Sequence, residues 1–340
     1  MTHSPLFSVL TASRNHGAFV VEMLDSVAAQ TFQDFEIVFV DDGSTDQTGE
    51  LVPAWIETFR QRASNRIQYV RESHGGQSAS LEAGFALCRG QYIATLDSDD
   101  RWLSGKLEAV AREIQQHPEC GLFVHPQIVI DPGGRPTGEL RPKGAKLSDG
   151  DLRDQMRRTG RHVAGAMTCQ TYRRDIFAQL LPMPTRRFPS AADQYLSFGA
   201  TLLAPVHALA EPQSEYRLNP DGHYIKRMTT PDGIERQIDI QRTIAGHFGL
   251  GHVVERNSFF ARNSFASAKL IASVRTQVRA YIQLIRAIWS DAAFRPTQKL
   301  AFTLFWGMGL LAPRTLFLRQ WRWFQLKQTG RDRLAGGATR

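Results

Sequence analysis

Ile93-Ala94-Thr95-Leu96-Asp97-Ser98-Asp99-Asp100 is the stretch that decides the fold. Apolar, β-prone residues run straight into three carboxylates, and Arg101 and Trp102 open the next segment. Such a run reads as a buried strand delivering its acids to the carboxyl edge of a sheet, where open α/β sheets bind ligands. Carboxylates packed this closely repel one another and resist burial. A hard divalent cation with oxygen ligands, shared with a diphosphate, would compensate them. A solvated acidic turn ahead of a helix starting near Ser104 is the plainer alternative.

The same strand-then-acid pattern recurs upstream. Phe35 to Val40 is a strand that ends in Asp41-Asp42-Gly43-Ser44-Thr45-Asp46. Phe7 to Thr11 is an earlier strand, and Ile67 to Val70 a later one that leads into Arg71-Glu72-Ser73-His74-Gly75-Gly76-Gln77. Between them, Val20, Leu24, Val27 and Ala28 share one helical face, as do Leu51, Trp55, Ile56 and Phe59, with Pro53 limiting the first turn. A helix from about Ser78 to Cys88 closes at Gly90. Four βα units in a row predict a doubly wound, mostly parallel sheet with helices on both faces. Two strands presenting acids to one edge is more than helix capping explains.

Beyond the helix of Leu107, Val110 and Ile114 the pattern changes. Leu122 to Ile130, Pro132-Gly133-Gly134 and Thr137 to Leu140 predict an antiparallel hairpin. A helix near Arg174, a helix from Gln194 to Leu203 with Asp193 at its threshold, and a last strand from Ala208 to Tyr216 follow.

The chain has 340 residues, 42% hydrophobic and 22% charged, an ordinary globular composition with room for a main domain and an extension. Cys88, Cys120 and Cys169 are odd in number and widely spaced, with no C-x-x-C, which fits a reducing compartment and speaks against a disulfide framework or a zinc site. Pro5 to Leu10 already reads as the first strand, so no leader segment is expected ahead of it. Charge is lopsided. Residues 255–340 hold 15 Lys and Arg against three acids, whereas residues 1–254 hold 26 against 30. A near-neutral body and a basic tail do different jobs.

Four pieces together resemble the family-2 glycosyltransferases of GT-A fold: Ser8 to Asn15, Val40 to Asp46, Gly75-Gly76-Gln77-Ser78-Ala79, and Gly90 to Asp100, in the family's order and spacing. The resemblance is strong over residues 5–115, weaker to about 220, and generic beyond. It implies a catalytic domain over 1–230, with a nucleotide-sugar half (1–115) and an acceptor half (116–230), then a helical basic region over 231–330 and a disordered tail over 331–340.

By that resemblance Thr11, Ala12 and Ser13 with Asp41 and Asp42 cradle the base and ribose, and Arg71, Gly76, Asp97 and Ser98 also line the nucleotide-sugar. Asp99 with Asp97 would coordinate the Mg²⁺ or Mn²⁺ that bridges the diphosphate. Inversion needs a base for the acceptor hydroxyl, and Asp193 matches the family's carboxylate, although Ala192 stands where a second acid is common. Asp193 as a helix N-cap is compatible with that role. Glu82 replaces a frequent Asn. Asn219 replaces a frequent His, so His223 is a further candidate for a phosphate or metal contact. The activity implied is inverting, metal-dependent transfer from a UDP-sugar to a hydroxyl of a glycan or lipid-linked acceptor in cell-surface polysaccharide synthesis. Gln320-Trp321-Arg322-Trp323 is not the Gln-x-x-Arg-Trp of processive members, which favours single addition. A nucleotidyltransferase would want a Gly-rich, basic loop after the first strand, and Thr11 to Ala18 offers little of that. A catalytically dead glycan- or partner-binding scaffold would not need Asp42, Asp97, Asp99 and Asp193 together.

In the tail, the uncharged run Leu300 to Ala312 is too short for the ~20 residues that span a bilayer. With Arg319, Trp321, Arg322, Trp323 and Lys327 it suits helices lying in the headgroup region, which places the enzyme peripherally on the cytoplasmic face of the membrane. Packing on the body or on a second copy of the chain is the alternative. Nucleic acid is not expected as a partner, because the basic residues accompany long apolar faces and form no recognised module.

Overall fold

The computed structural model describes residues 4–61, 66–143, 145–184, 191–218, 230–255, 257–291 and 294–329. It divides into two compact units, 1–154 with 162–217 and 155–161 with 218–340.

The first unit is built on a seven-stranded sheet. Its strands are β1 (Phe7–Ser13), β2 (Phe35–Asp41), β3 (Ile67–Arg71), β4 (Tyr92–Thr95), β6 (Leu122–Val124), β9 (Gln170–Arg173) and β10 (Val206–Ala208), in the spatial order β10-β6-β9-β4-β1-β2-β3. Every neighbouring pair is parallel except those of β9, which runs against both β4 and β6. All seven residues of β2 are buried, as strands covered on both faces must be. The chain steps outward from β1 through β2 to β3, then returns to lay β4 on the other side of β1. That reversal makes the carboxyl ends of β1 and β4 the switch point. A second sheet, in the order β5-β11-β7-β8, joins β5 (Arg101–Trp102), β7 (Gln127–Ile130), β8 (Pro136–Arg141) and β11 (Ser214–Arg217).

Helices α1 (Val20–Ala28), α2 (Thr48–Arg60), α3 (Gln77–Phe85) and α4 (Lys106–Gln116) connect the first strands. Phe7, Val9, Leu24, Phe39, Ile56, Leu107, Val110 and Phe123 are among the side chains of one shared core. Burying each such side chain contributes roughly 1.5–3 kcal/mol. Gly90 lies so close to β1 that a Cβ there would stand 2.3 Å from the Ser8 nitrogen. Only glycine lets the chain enter β4 at that spot. Four short segments follow: α5 (Arg153–Thr159), a 3₁₀ turn over Met167–Cys169, α6 (Arg174–Gln179) and α7 (Ala192–Leu203).

Several sequence expectations need correction. Leu122 to Ile130 is two strands in two sheets, broken at His125-Pro126, because Pro126 has no N–H with which to continue a ladder. The hairpin is formed by β7 and β8 alone. Ala208 to Tyr216 is likewise split, between β10 and β11. Helix α3 ends at Phe85 rather than Cys88, and Pro53 sits inside α2, in its second turn. Helix α7 starts at Ala192, so Asp193 lies within the first turn and does not cap it.

The second unit is helical: α8 (Pro231–His247), α9 (Gly251–Val254), α10 (Ser258–Ile271), α11 (Val274–Ser290), α12 (Pro296–Leu311) and α13 (Arg314–Thr329). Thr230, Asn257 and Ser273 cap α8, α10 and α11 by accepting backbone N–H groups of the first turn. Phe265, Trp306, Phe317, Trp321 and Phe324 are buried together in its core. The indoles of Trp306 and Trp321, read from sequence as facing a headgroup layer, are therefore interior. No described helix is long and apolar enough to cross a membrane.

Candidate active site

The ends of β1, β2, β3 and β4 meet on one rim. Ser13 at the end of β1 is registered with Asp41 at the end of β2, and its carbonyl accepts the Asp42 N–H at 2.8 Å. Thr11 and Ser13 are buried and Ala12 half-buried, and the Ser13 Oγ has no hydrogen-bond partner among the described residues. Asp41 Oδ1 accepts the Ser44 N–H (2.8 Å), and Oδ2 accepts the Tyr69 hydroxyl (2.9 Å). Burial and that bond push the Tyr69 phenol up to about 12. Arg71 donates to the Ser44 carbonyl (2.6 Å), lies 3.8 Å from Asp41, and keeps about half its side chain exposed at the rim.

Asp42 is fully engaged. It accepts the backbone N–H groups of Gly75 (2.8 Å) and Gly76 (3.1 Å) and meets His74 Nδ1 at 2.7 Å. This carboxylate folds the loop ahead of α3, where Gly76 adopts φ 87°, a left-handed conformation open to glycine. The loop then points Gln77 at Asp97, whose Oδ1 accepts from Gln77 Nε2 at 3.1 Å.

The opening stretch of sequence forms the centre of the rim. Asp97 and Asp99 are half-buried, and Ser98 and Asp100 are buried. Ser98 Oγ bonds His16 Nδ1 at 2.6 Å. Asp100 accepts the Thr168 hydroxyl (2.6 Å) and the Arg217 N–H (2.8 Å). Among the described residues no Lys or Arg forms an ion pair with Asp97, Asp99 or Asp100. Burial, followed by the charge of Asp99, pushes the Asp100 carboxyl up to about 8. Asp97 is held well above the ordinary carboxylate range by burial first, then by Asp100, Asp99 and Asp193.

That last effect shows that the Asp193 charge is felt at Asp97. Ala191, just before α7, takes φ 91°, which a residue bearing a Cβ rarely adopts. Backbone held this way costs on the order of 1–2 kcal/mol and clusters at functional sites. It sets the start of α7, and so the carboxylate, against the rim.

Some residues here gave no signal in the sequence. Thr168 accepts the Asp97 N–H (3.1 Å) while donating to Asp100, tying two acids together. Arg217 uses its guanidinium on the Asp99 carbonyl (2.8 Å), the Pro132 carbonyl (3.1 Å) and Glu22 (2.6 Å). Arg101 joins the same knot through Glu22 and Glu215. Glu82 accepts the Met183 N–H, so it braces the chain and is not turned toward the nucleotide side. His223 lies outside the described residues.

Asp97, Asp99 and Asp100 offer crowded carboxylate oxygens with which, among the described residues, no Lys or Arg forms an ion pair, and this is the donor chemistry of a Mg²⁺ or Mn²⁺ site. The glycosyl transferase family 2 model matches residues 8–181, just over half the chain and the whole of this rim up to β9 and α6. The chain belongs to glycosyl transferase family 2. An uncharacterised glycosyltransferase of Nostoc sp. is 30% identical over 213 residues, 62% of this chain and 64% of that protein. GlyG of Streptococcus pneumoniae is 33% identical over 114 residues, 33% of this chain and 36% of that protein. This family 2 chain thus spans under two thirds of both relatives. Among solved structures, S. aureus TarS 1–349 in complex with UDP-GlcNAc aligns with a TM-score of 0.56 at 19% identity, over 95% of this chain and 92% of that one. The mannosyltransferase PcManGT of Pyrobaculum calidifontis, in complex with GDP-Man and Mn²⁺, gives 0.55 at 17% identity, over 94% and 85%. At such identities the likeness is one of fold, and the fold is of GT-A type.

Proposed function

We propose that this glycosyltransferase moves a sugar from a UDP-sugar to a hydroxyl of a lipid-linked or cell-surface glycan acceptor, with inversion, at the cytoplasmic face of a membrane. The observation that carries the reading is the crowding of Asp97, Asp99 and Asp100 at the switch point, where each raises the others' cost of ionising and, among the described residues, no Lys or Arg forms an ion pair with them. Asp97 and Asp99 would hold Mg²⁺ or Mn²⁺, which when bound neutralises charge on the departing diphosphate. The UDP-GlcNAc bound by TarS and the GDP-Man with Mn²⁺ bound by PcManGT support this assignment.

The chain's own residues do the rest. Asp193 accepts the proton of the acceptor hydroxyl as its oxygen bonds to the anomeric carbon. The bond from that carbon to the diphosphate oxygen breaks on the opposite face, and its electron pair leaves with the nucleotide. Asp42 and Thr168 hold the loops that carry Gln77 and Asp97 in place. Ser13, whose hydroxyl has no partner among the described residues, and Arg71, half-exposed at the rim, bind the nucleotide. The test is release of nucleotide from a panel of nucleotide-sugars with Mn²⁺. UDP-sugar turnover that is lost in Asp99→Asn is expected. Equal turnover in that variant would overturn the proposal.

Two stripes in the helical unit support the membrane reading. On α11, Val274, Val278, Ile282 and Trp289 are exposed within one narrow arc, with exposed Arg275, Arg279 and Arg286 along its flank. On α12, Leu300, Leu304, Met308 and Leu311 form a second such arc. An apolar stripe edged by guanidinium groups, as on α11, fits an anionic bilayer surface, and the uncharged α12 stripe adds apolar area. Sedimentation with phosphatidylglycerol vesicles, but not phosphatidylcholine vesicles, and its loss in Arg275→Glu/Arg279→Glu, is the expected result. No sedimentation with either would sink this part.

A further inference from the structure

Away from the rim, the far edge of the seven-stranded sheet carries a second group of metal-ligating side chains. Glu113 stands in the last turn of α4, His117 caps that helix four residues later, and His207 is the middle residue of edge strand β10. One ligand atom from each lies within 4.8 Å of the others. The two imidazoles stack with centroids 3.9 Å apart, and His207 Nε2 is 3.2 Å from a Glu113 oxygen. The strand register sets this cluster apart from the rim. His207 pairs with Phe123, Phe123 with Thr171, and Thr171 with Ala94. It therefore sits three strands from β4 and level with a residue three short of Asp97, about 14 Å across the sheet and ~10 Å along it.

The surroundings are organised as a ligand set needs. The Nδ1 of His207 faces Asp149 at 3.4 Å, and Asp149 is anchored there by accepting the Ala208 N–H at 2.9 Å. The Nδ1 of His117 faces Glu119 at 3.7 Å. A carboxylate on the Nδ1 side of each ring is the kind of partner that orients histidines on metals. The other Glu113 oxygen faces the exposed Arg112 at 3.7 Å, so one oxygen remains turned inward. Tetrahedral ligands about 2.0–2.1 Å from zinc stand roughly 3.3–3.5 Å apart, close to the Glu113–His207 spacing. The cluster is half-buried, which leaves a fourth position open to water.

We propose that Glu113, His117 and His207 bind a zinc ion that fastens edge strand β10 to the end of α4. Two imidazoles and one carboxylate select zinc over the Mg²⁺ or Mn²⁺ suited to the all-oxygen rim. Because the site joins elements that are apart in the unfolded chain, the ion binds only the folded state and stabilises it.

The experiment uses the full chain stripped with chelator, titrated with Zn²⁺ against a zinc-binding dye and, separately, with Co²⁺ for its visible absorption. One Zn²⁺ per chain, a tetrahedral Co²⁺ spectrum and a raised unfolding midpoint are expected. His207→Gln should abolish all three, and Asp149→Asn should weaken binding about 10- to 100-fold. Asp99→Asn should change none of them. Unaltered binding in both His207→Gln and Glu113→Gln would overturn the proposal, as would loss of binding in Asp99→Asn, which would put the zinc at the rim. The half-exposed positions keep the variants folded, checked by circular dichroism.

Discussion

Two clusters of acids meet at Arg217 in this protein and are treated oppositely. Glu22 and Glu215 are matched by Arg101 and Arg217 in a closed knot. Among the described residues Asp97, Asp99 and Asp100 have no such ion pairs, and two of them are held far above the usual carboxylate range. The knot is structure: its charges cancel, and it fixes the loop through the Asp99 carbonyl. The rim is left with a deficit of positive charge that costs stability, and a fold retains such a cost where function needs it. What separates the two is the counter-charge.

The comparison can be broken in four ways. The largest effect is expected from Asp193→Asn, which keeps size and removes the base. Its kcat should fall by about 10²- to 10⁴-fold with little change in KM, measured by initial rates on a transferred sugar. Next, Arg217→Leu opens the knot and strands Glu22 beside Arg101 alone. Because Glu22 is half-exposed, a loss of about 2–4 kcal/mol in urea unfolding is expected, at the low end for a broken buried pair. A third test concerns groups buried without charge of either sign. His125 and His162 are pushed down to about 3 and about 4 by burial, against 6.5 when unfolded. Below pH 6.5 the unfolded chain binds protons the folded one does not. Stability is therefore full above 6.5 and falls as pH drops toward 4, by up to about 2–3 kcal/mol per pH unit for the pair. His162→Gln should flatten that slope in pH-dependent urea unfolding. The smallest effect, and the opposite in sign, is that Asp99→Asn without cation should raise stability by about 1 kcal/mol while abolishing turnover. A destabilised Asp99→Asn would erase the distinction between the two clusters.

What was legible from sequence was local. Strands that end in acids announce themselves within eight residues, so the rim of Asp41, Asp42, Asp97 and Asp99 and the order of β1 to β4 were within reach. Partition between sheets was not, because whether Leu122–Ile130 is one strand or two depends on neighbours far along the chain. Pro126 was the available signal and was passed over. Thr168 and Arg217 sit in unremarkable local sequence and acquire roles only when β9 and β11 bring them to β4 and β5. In α12 an almost uninterrupted apolar run hides which face is interior, so Trp306 could not be told from Met308. The cysteine pattern spoke only about cysteine ligands, whereas Glu113 and His117 sit four residues apart and need a distant histidine to become a set.

Thr168 carries one more consequence, for anyone recombining such enzymes. Its hydroxyl lies some seventy residues further along the chain than the two acids it holds, Asp97 and Asp100. A chimera joined anywhere between α4 and the turn at Met167–Cys169 would import a foreign residue at that position. Grafts that retain threonine or serine there should inherit a working donor pocket, and those that bring alanine should release the very loop they were meant to borrow.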